Sequence, residues 1–346
     1  MKIGIVGYQG SGKSSLFEYL TQTPTDPSQA HSTQMATATI VDPRVEKLCE
    51  IYEPKKITQA QLNIVDTPGL NRSQDGNAGK LANIRESGCM ILVVTSFGGG
   101  DAANELQSFE EDLLLTDLEI VTGRVEKLRE NVKRPRPNRD KELEELEALE
   151  PVLAEMESGK AIRDIELSDK QLRYVKAFQM LTQKPRIVIL NIDDMQDPVE
   201  VIDSVKSLTS DENVTVVAFS VSLQLELQQM DAEERGEFCE EMGVSQYDRE
   251  TLIQQIMDSS GQMLFFTAGE KEVRTWLIPK GATAVDAAGS IHTDLAKGFV
   301  RAETMTCDDL FRLGSEREIK ANNLMRKEHK DYVIQDGDIL HILSTS

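Results

Sequence analysis

Residues 7–15 read GYQGSGKSS, and a string of that type can hold a polyphosphate. The pattern G-x-x-x-x-G-K-[ST] works because glycines let the main chain curl its N–H groups inward, where a side chain would block a β-phosphate. Gly7, Gly10 and Gly12 fill those places, with Ser11 and Ser15 in the same cradle. Lys13 can reach the β- and γ-phosphates as a point charge, and Ser14 can give its hydroxyl to Mg²⁺.

Other short stretches complete such a site. DTPGL, Asp66 to Leu70, stands where P-loop proteins keep an aspartate that orders the Mg²⁺ shell and a glycine amide that senses the γ-phosphate. Asp66 is therefore a metal candidate, and Gly69 joins Lys13 as a catalytic candidate. Thr33, in HSTQMATA, is a further candidate ligand for Mg²⁺. NIDD, Asn191 to Asp194, sits where guanine-specific P-loop proteins read N-K-x-D. There the aspartate accepts from the guanine N1–H and exocyclic amine, while the lysine packs on the base. Asn191 and Asp194 fit, and Ile192 replaces the lysine. Ser220 and Val221, in SVS, are placed to line the base through backbone N–H groups. The ligand is GTP or ATP, with Asp194 compatible with guanine. Leu70 follows the glycine where Ras-like enzymes keep a glutamine, and an apolar side chain cannot orient water by hydrogen bonding. Turnover is then slow, or another group or a partner supplies the missing function.

These residues need a strand before the phosphate loop and a helix after it. Ile3, Ile5 and Val6 supply the strand, and Leu16, Tyr19 and Leu20 recur at helical spacing. A strand near Thr37–Val41 and a helix from about Pro43 follow. AQLNIVD, CMILVVTSF, PRIVILNIDD and NVTVVAFSVS are further strand runs. Runs apolar throughout, with helices between, imply a parallel sheet covered on both faces, with ligands at the strands' carboxyl ends. Residues 104–180 differ: Leu, Glu, Lys and Arg recur at helical intervals, broken by KRPRPNRD. This predicts an α-helical hairpin whose tip carries Lys133, Arg134, Arg136 and Arg139. The final stretch reads as two strands, a helix from about Thr283, and a closing pair of strands around Asp336-Gly337. The expected domains are residues 1–103 with 181–262, then 104–180, then 263–346.

Composition bounds the partners. A chain of 346 residues with 39% apolar and 28% charged residues suits a globular protein of two or three domains. No run approaches the ~18 apolar residues of a membrane span, and the first strand is not a leader peptide. The cysteines, Cys49, Cys89, Cys239 and Cys307, are scattered, which suits a reducing, cytoplasmic setting. A net charge of −21 disfavours non-specific nucleic-acid binding, so any RNA contact must come from a local patch.

Together these residues resemble the YchF/Obg-like ATPase family of translation-factor-class P-loop proteins. The resemblance covers essentially the whole chain. It rests on KIGIVG…GSGKSSLF, DPRVEKL, LANIRE, the inserted hairpin, DAEERGEF, and FFTAGEKEVRTWLIPKGATAVDAAGSIHTDLAKGFVRAE…KDYVIQDGDILH. The fold it implies is α/β: a P-loop GTPase-like core with a mainly parallel sheet, an inserted α-helical hairpin and a C-terminal β-grasp (TGS) domain. It also implies a nucleotide-switched regulator that hydrolyses GTP or ATP with Mg²⁺ and associates with ribosomes or RNA, through the hairpin tip or the TGS domain. Lys280, Lys297 and Arg301 could form a local basic face in the latter. Gly10 stands where the family loop carries an asparagine tied to potassium-assisted hydrolysis. Asp194 stands where members that prefer ATP carry a glutamate. The segment after CMILVVTSF is shorter than the family's and holds no histidine. The alternative of another class is a scaffold that binds nucleotide without turning it over; a metabolic P-loop kinase is a third reading.

Overall fold

The computed structural model describes residues 1–25, 32–72, 77–82, 84–135, 137–209 and 214–345. The elements begin with β1 (Lys2–Val6), α1 (Lys13–Thr21), β2 (Gln34–Thr39), α2 (Pro43–Tyr52), β3 (Ile57–Thr58), β4 (Gln61–Asp66), α3 (Asn77–Ala82) and β5 (Cys89–Thr95). There follow α4 (Ala102–Val132), α5 (Arg139–Glu157), α6 (Asp169–Val175), β6 (Arg186–Asn191), α7 (Pro198–Val205), β7 (Thr215–Phe219), α8 (Val221–Gln229), α9 (Ala232–Met242) and α10 (Arg249–Ser259). The chain closes with β8 (Gln262–Thr267), β9 (Val273–Pro279), α11 (Ala284–Ile291), α12 (Thr293–Lys297), β10 (Phe299–Thr306), α13 (Cys307–Leu313), α14 (Glu316–Ala321), β11 (Arg326–Glu328) and β12 (Asp338–Ser344). These form two compact units, Met1–Ala36 with Asn63–Tyr247, and Thr37–Leu62 with Asp248–Ser346.

In the first unit β4, β1, β5, β6 and β7 lie side by side in that order and pair in parallel. Every residue of β5 and β6 is buried, as strands covered on both faces must be. Because these strands run the same way, Gly7, Thr67, Ser96, Ile192 and Ser220 follow their ends along one edge of the sheet. That edge is where a ligand is expected in such a sheet.

Helix α4 belongs to two cores. Leu106, Phe109 and Leu113 pack under the sheet with Val94, Leu181 and Leu190. Val121, Val125 and Leu128 pack against Leu146, Leu149, Val152 and Met156 of α5. The sequence reading cut the chain at residue 104 and made the hairpin a domain. The fold makes no division there, because one uninterrupted helix from Ala102 to Val132 serves both cores and both lie in one compact unit.

The second unit is a six-stranded mixed sheet of order β11-β10-β12-β8-β9-β3. Its core contains Met263, Phe265, Ile278, Ala284, Ala302 and Leu340. Two expectations change here. First, α2 and β3 join this unit: β3 pairs with β9, and Ala60 N donates to Thr275 Oγ1 at 2.6 Å. Second, Asp336-Gly337 does not join two paired strands. β12 pairs with β10 on one side and β8 on the other, so Val333 is left a single bridge, to Thr283. The Asp336 carboxylate instead accepts from Arg44 Nη1 at 2.7 Å and from Leu264 N at 3.2 Å. Among the described residues, no helix is long and apolar enough to cross a membrane.

Candidate nucleotide-binding site

The turn from β1 into α1 is shaped by sterics. A Cβ on Gly7 would lie 2.4 Å from the Val93 carbonyl oxygen, which cannot move without breaking the sheet. Gly12, the residue before α1, has φ 96°, and a Cβ there would lie 2.4 Å from Asn191 Nδ2. Gly12→Ala is expected to lower stability by about 1–3 kcal/mol through the left-handed backbone and this contact. Urea unfolding reads that directly, and a wild-type midpoint would contradict it. Gly10 has nothing within 4 Å of its would-be Cβ and faces a cleft of about 390 Å³. Gly12, Ser15, Phe97, Asp194 and Ser222 also line this cleft.

Lys13 is only 6% exposed, and its Nζ donates to Tyr8 O at 2.8 Å. Burial pulls its ammonium pKa down to about 8; Asp66 and Glu105 oppose the shift and Lys80 adds to it. Ser14 Oγ donates to Asp66 Oδ2 at 2.7 Å. Asp66 is buried, which pushes its carboxyl pKa up, and its Oδ1 has no hydrogen-bond partner. A buried carboxylate oxygen beside a serine hydroxyl, left unpaired, is what a Mg²⁺ shell would use.

The turn after β4 is tied to the phosphate loop. Leu70 N donates to Gly7 O at 3.0 Å, and Gln9 N donates to Leu70 O at 2.9 Å. A Cβ on Gly69 would lie 2.9 Å from Gln9 Cα and 3.1 Å from Lys13 Nζ. The Leu70 side chain is fully buried with Val6, Tyr8 and Leu81, turned away from the cleft. The same turn grips α4. Arg72 pairs with the buried Glu105 at 2.6 Å, and Tyr8 Oη and Asn77 Nδ2 each donate to Asp112 Oδ2 at 3.0 Å.

On the base side, the structure redistributes the expected roles. Asn191 is buried, donating to Ser11 O at 3.0 Å and accepting from Val221 N at 3.0 Å. It braces the phosphate loop against the β7–α8 turn. The Val221 N–H is thereby taken, so it is not free to line a base as the sequence reading expected. Ser220 Oγ donates to Asp194 Oδ1 at 2.6 Å and fixes that carboxylate. Ile192 is buried in the core and meets the cleft only as part of its wall. Ser11 is fully buried, with its Oγ unpartnered. Phe97, missed in the sequence, lines the cleft; its place just past the end of β5 was the available signal.

Other candidates are not gathered in. Thr33 is exposed just before β2, and no hydrogen bond joins it to Ser14 or Asp66. At the hairpin tip Arg136 lies outside the described residues. Lys133 pairs with Glu130 at 2.7 Å, and Arg139 Nε donates to Val132 O at 2.9 Å. In the second unit Lys280 and Lys297 lie 3.8 and 3.7 Å from Asp258 and Asp294, in solvent-exposed pairs, and Arg301 is exposed.

A parallel sheet with this loop, this Ser–Asp pair and this base-side turn defines a P-loop nucleotide-binding protein of the GTPase type. The chain belongs to the YchF/Obg-like ATPase family. A family model described as 50S ribosome-binding GTPase matches residues 2–124. The YchF-GTPase_C model, described as a protein of unknown function, matches residues 263–344. The chain is 32% identical to the ribosome-binding ATPase YchF of Haemophilus ducreyi, over 98% of each. It is 32% identical to Obg-like ATPase 1 of Oryza sativa subsp. japonica, over 98% of this chain and 91% of that one. The structure of the Schizosaccharomyces pombe YchF GTPase superposes with TM-score 0.84 at 28% identity, covering 99% of this chain and 97% of that one.

Proposed function

We propose that the chain is a Mg²⁺-dependent purine nucleoside triphosphatase of slow intrinsic turnover that acts as a ribosome-associated switch in the cytoplasm. The observation that carries this is the Ser14–Asp66 pair, with Asp66 Oδ1 unpartnered, beside the buried ammonium of Lys13. Gly7, Gly10, Ser11, Gly12, Lys13, Ser14 and Ser15 form the phosphate cradle, mainly through backbone N–H groups. Ser14 and Asp66 would hold the Mg²⁺, which would neutralise charge on the β- and γ-phosphate oxygens. The Gly69 N–H reports the γ-phosphate.

Phe97 offers a face for the base, and Asp194, held by Ser220 through one oxygen, keeps the other for the purine edge. A fixed carboxylate acceptor favours guanine, whose N1–H and exocyclic amine are donors, so GTP is preferred over ATP. Asp194→Ala is expected to weaken GTP binding about 30-fold, the worth of ~2 kcal/mol in charged hydrogen bonds, and ATP binding far less. Competition between labelled GTP and ATP measures both. Equal losses for the two nucleotides would remove Asp194 from base selection.

Titration with labelled GTP and ATP in Mg²⁺ tests the whole reading, and affinity for neither ends it. The buried Leu70 favours a second reading, a scaffold that binds nucleotide without turnover. Phosphate release with and without ribosomes separates the two. Relatives named as ribosome-binding motivate that partner, and nucleotide-dependent cosedimentation checks it.

A further inference from the structure

The turn after β4 carries a second ammonium group. Lys80, half-buried on α3, donates to Gly69 O at 2.6 Å and to Asn71 Oδ1 at 3.3 Å. Gly69 also neighbours Lys13, whose Nζ lies 3.1 Å from its would-be Cβ. One glycine therefore stands between two lysine head groups, close enough for Lys13 to feel the charge of Lys80. The acids that face Lys13 are Asp66 and Glu105. Asp66 is bonded to Ser14, and Glu105 is paired with Arg72 and accepts from Thr95 N. Bringing like charges together in a partly buried place is unfavourable unless an anion is to lie between them.

We propose that Lys80 is a positioning residue for phosphate transfer: its bond to the Gly69 carbonyl, with the Leu70 N–H held by Gly7 O, pins the Gly69–Leu70 peptide and so restricts the adjoining Gly69 N–H, and its charge adds to that of Lys13. This rests on the nucleotide reading above. In hydrolysis the water oxygen bonds to the γ-phosphorus as the bond to the β–γ bridging oxygen breaks. The bridging oxygen keeps the electron pair on the diphosphate, and the proton from water passes to the released phosphate. Charge is spread over the bridging and γ-oxygens, and a preset N–H donor with fixed positive charge favours that distribution over the ground state. Leu70 cannot share the task, because its side chain is buried and its peptide groups are bonded to Gly7 and Gln9.

The competing account is that Lys80 only staples the turn. Steady-state phosphate release, GTP and GDP affinities and thermal midpoints of wild type, Lys80→Met, Lys80→Arg and Lys80→Gln distinguish them. Loss of a preset donor and its charge is expected to lower kcat by about 30–100-fold in Lys80→Met, with KM within about threefold. GDP affinity should hold, and Lys80→Arg should recover most of the rate. A wild-type kcat in folded Lys80→Met, or equal losses of GTP and GDP affinity without rescue by arginine, overturns the proposal. If Lys80→Met does not fold, Lys80→Gln decides: a kcat loss supports the role of charge, and a wild-type kcat overturns it. A wild-type protein that binds GTP but releases no phosphate, with or without ribosomes, overturns this proposal alone. One that binds neither GTP nor ATP overturns the nucleotide reading with it.

Discussion

Lys13→Ala is expected to weaken triphosphate binding by at least ~100-fold, the equivalent of two charge-assisted hydrogen bonds at the low end of their range. The fold should survive the change. The Lys13 ammonium is almost fully buried and makes one hydrogen bond, to Tyr8 O, so the unliganded protein bears a desolvation cost that alanine removes. Stability within about 1 kcal/mol of wild type, together with lost binding, is the combination to look for. Calorimetric titration with GTP and ATP alongside urea unfolding supplies both numbers. Unchanged affinity would mean that the glycine-rich turn holds something else.

Asp117→Ala should cost about 3–5 kcal/mol of stability, because it breaks a buried charge pair from one side. Asp117 is fully buried midway along α4. Its carboxylate accepts from Arg85 Nη1 at 2.9 Å, Leu181 N at 3.0 Å, Thr182 N at 2.8 Å and Thr182 Oγ1 at 2.9 Å. Alanine leaves a guanidinium and two backbone N–H groups short of acceptors where water has little access. Asp117→Asn keeps the shape and one acceptor, so it should lose about half as much. Urea unfolding of the two variants orders them. A loss under about 1 kcal/mol for alanine would show that these donors find other partners.

Local and long-range information divide along physical lines. The phosphate loop was legible because its geometry is set within nine residues by glycine conformation and the helix that follows. The placing of DTPGL and NIDD was legible because residues just past buried strands share one sheet edge. Roles that depend on contacts across the chain were not. Asn191, expected on the base side, lines the cleft and is a brace as well, a role that needs Ser11 and Val221, which follow different strands. Val221 lost its expected role through the same bond. Lys80 precedes LANIRE with nothing local to mark it, and only the folded turn brings it to Gly69. The division of the chain was misread where α4 runs through two cores, and where Thr37–Leu62 packs with Asp248–Ser346. Periodicity reports an element's apolar face, not which neighbour covers it.

Helix α4 is a beam about 46 Å long, taking 1.5 Å per residue over its 31 residues. Asp117 clamps it near mid-length. Roughly 18 Å toward one end lies Glu105, gripped through Arg72 by the turn beside the phosphate loop; roughly 22 Å toward the other lies the hairpin tip. The arms of this seesaw are nearly equal, so a tilt that moves the gripped end by one ångström carries the far end about as far the opposite way.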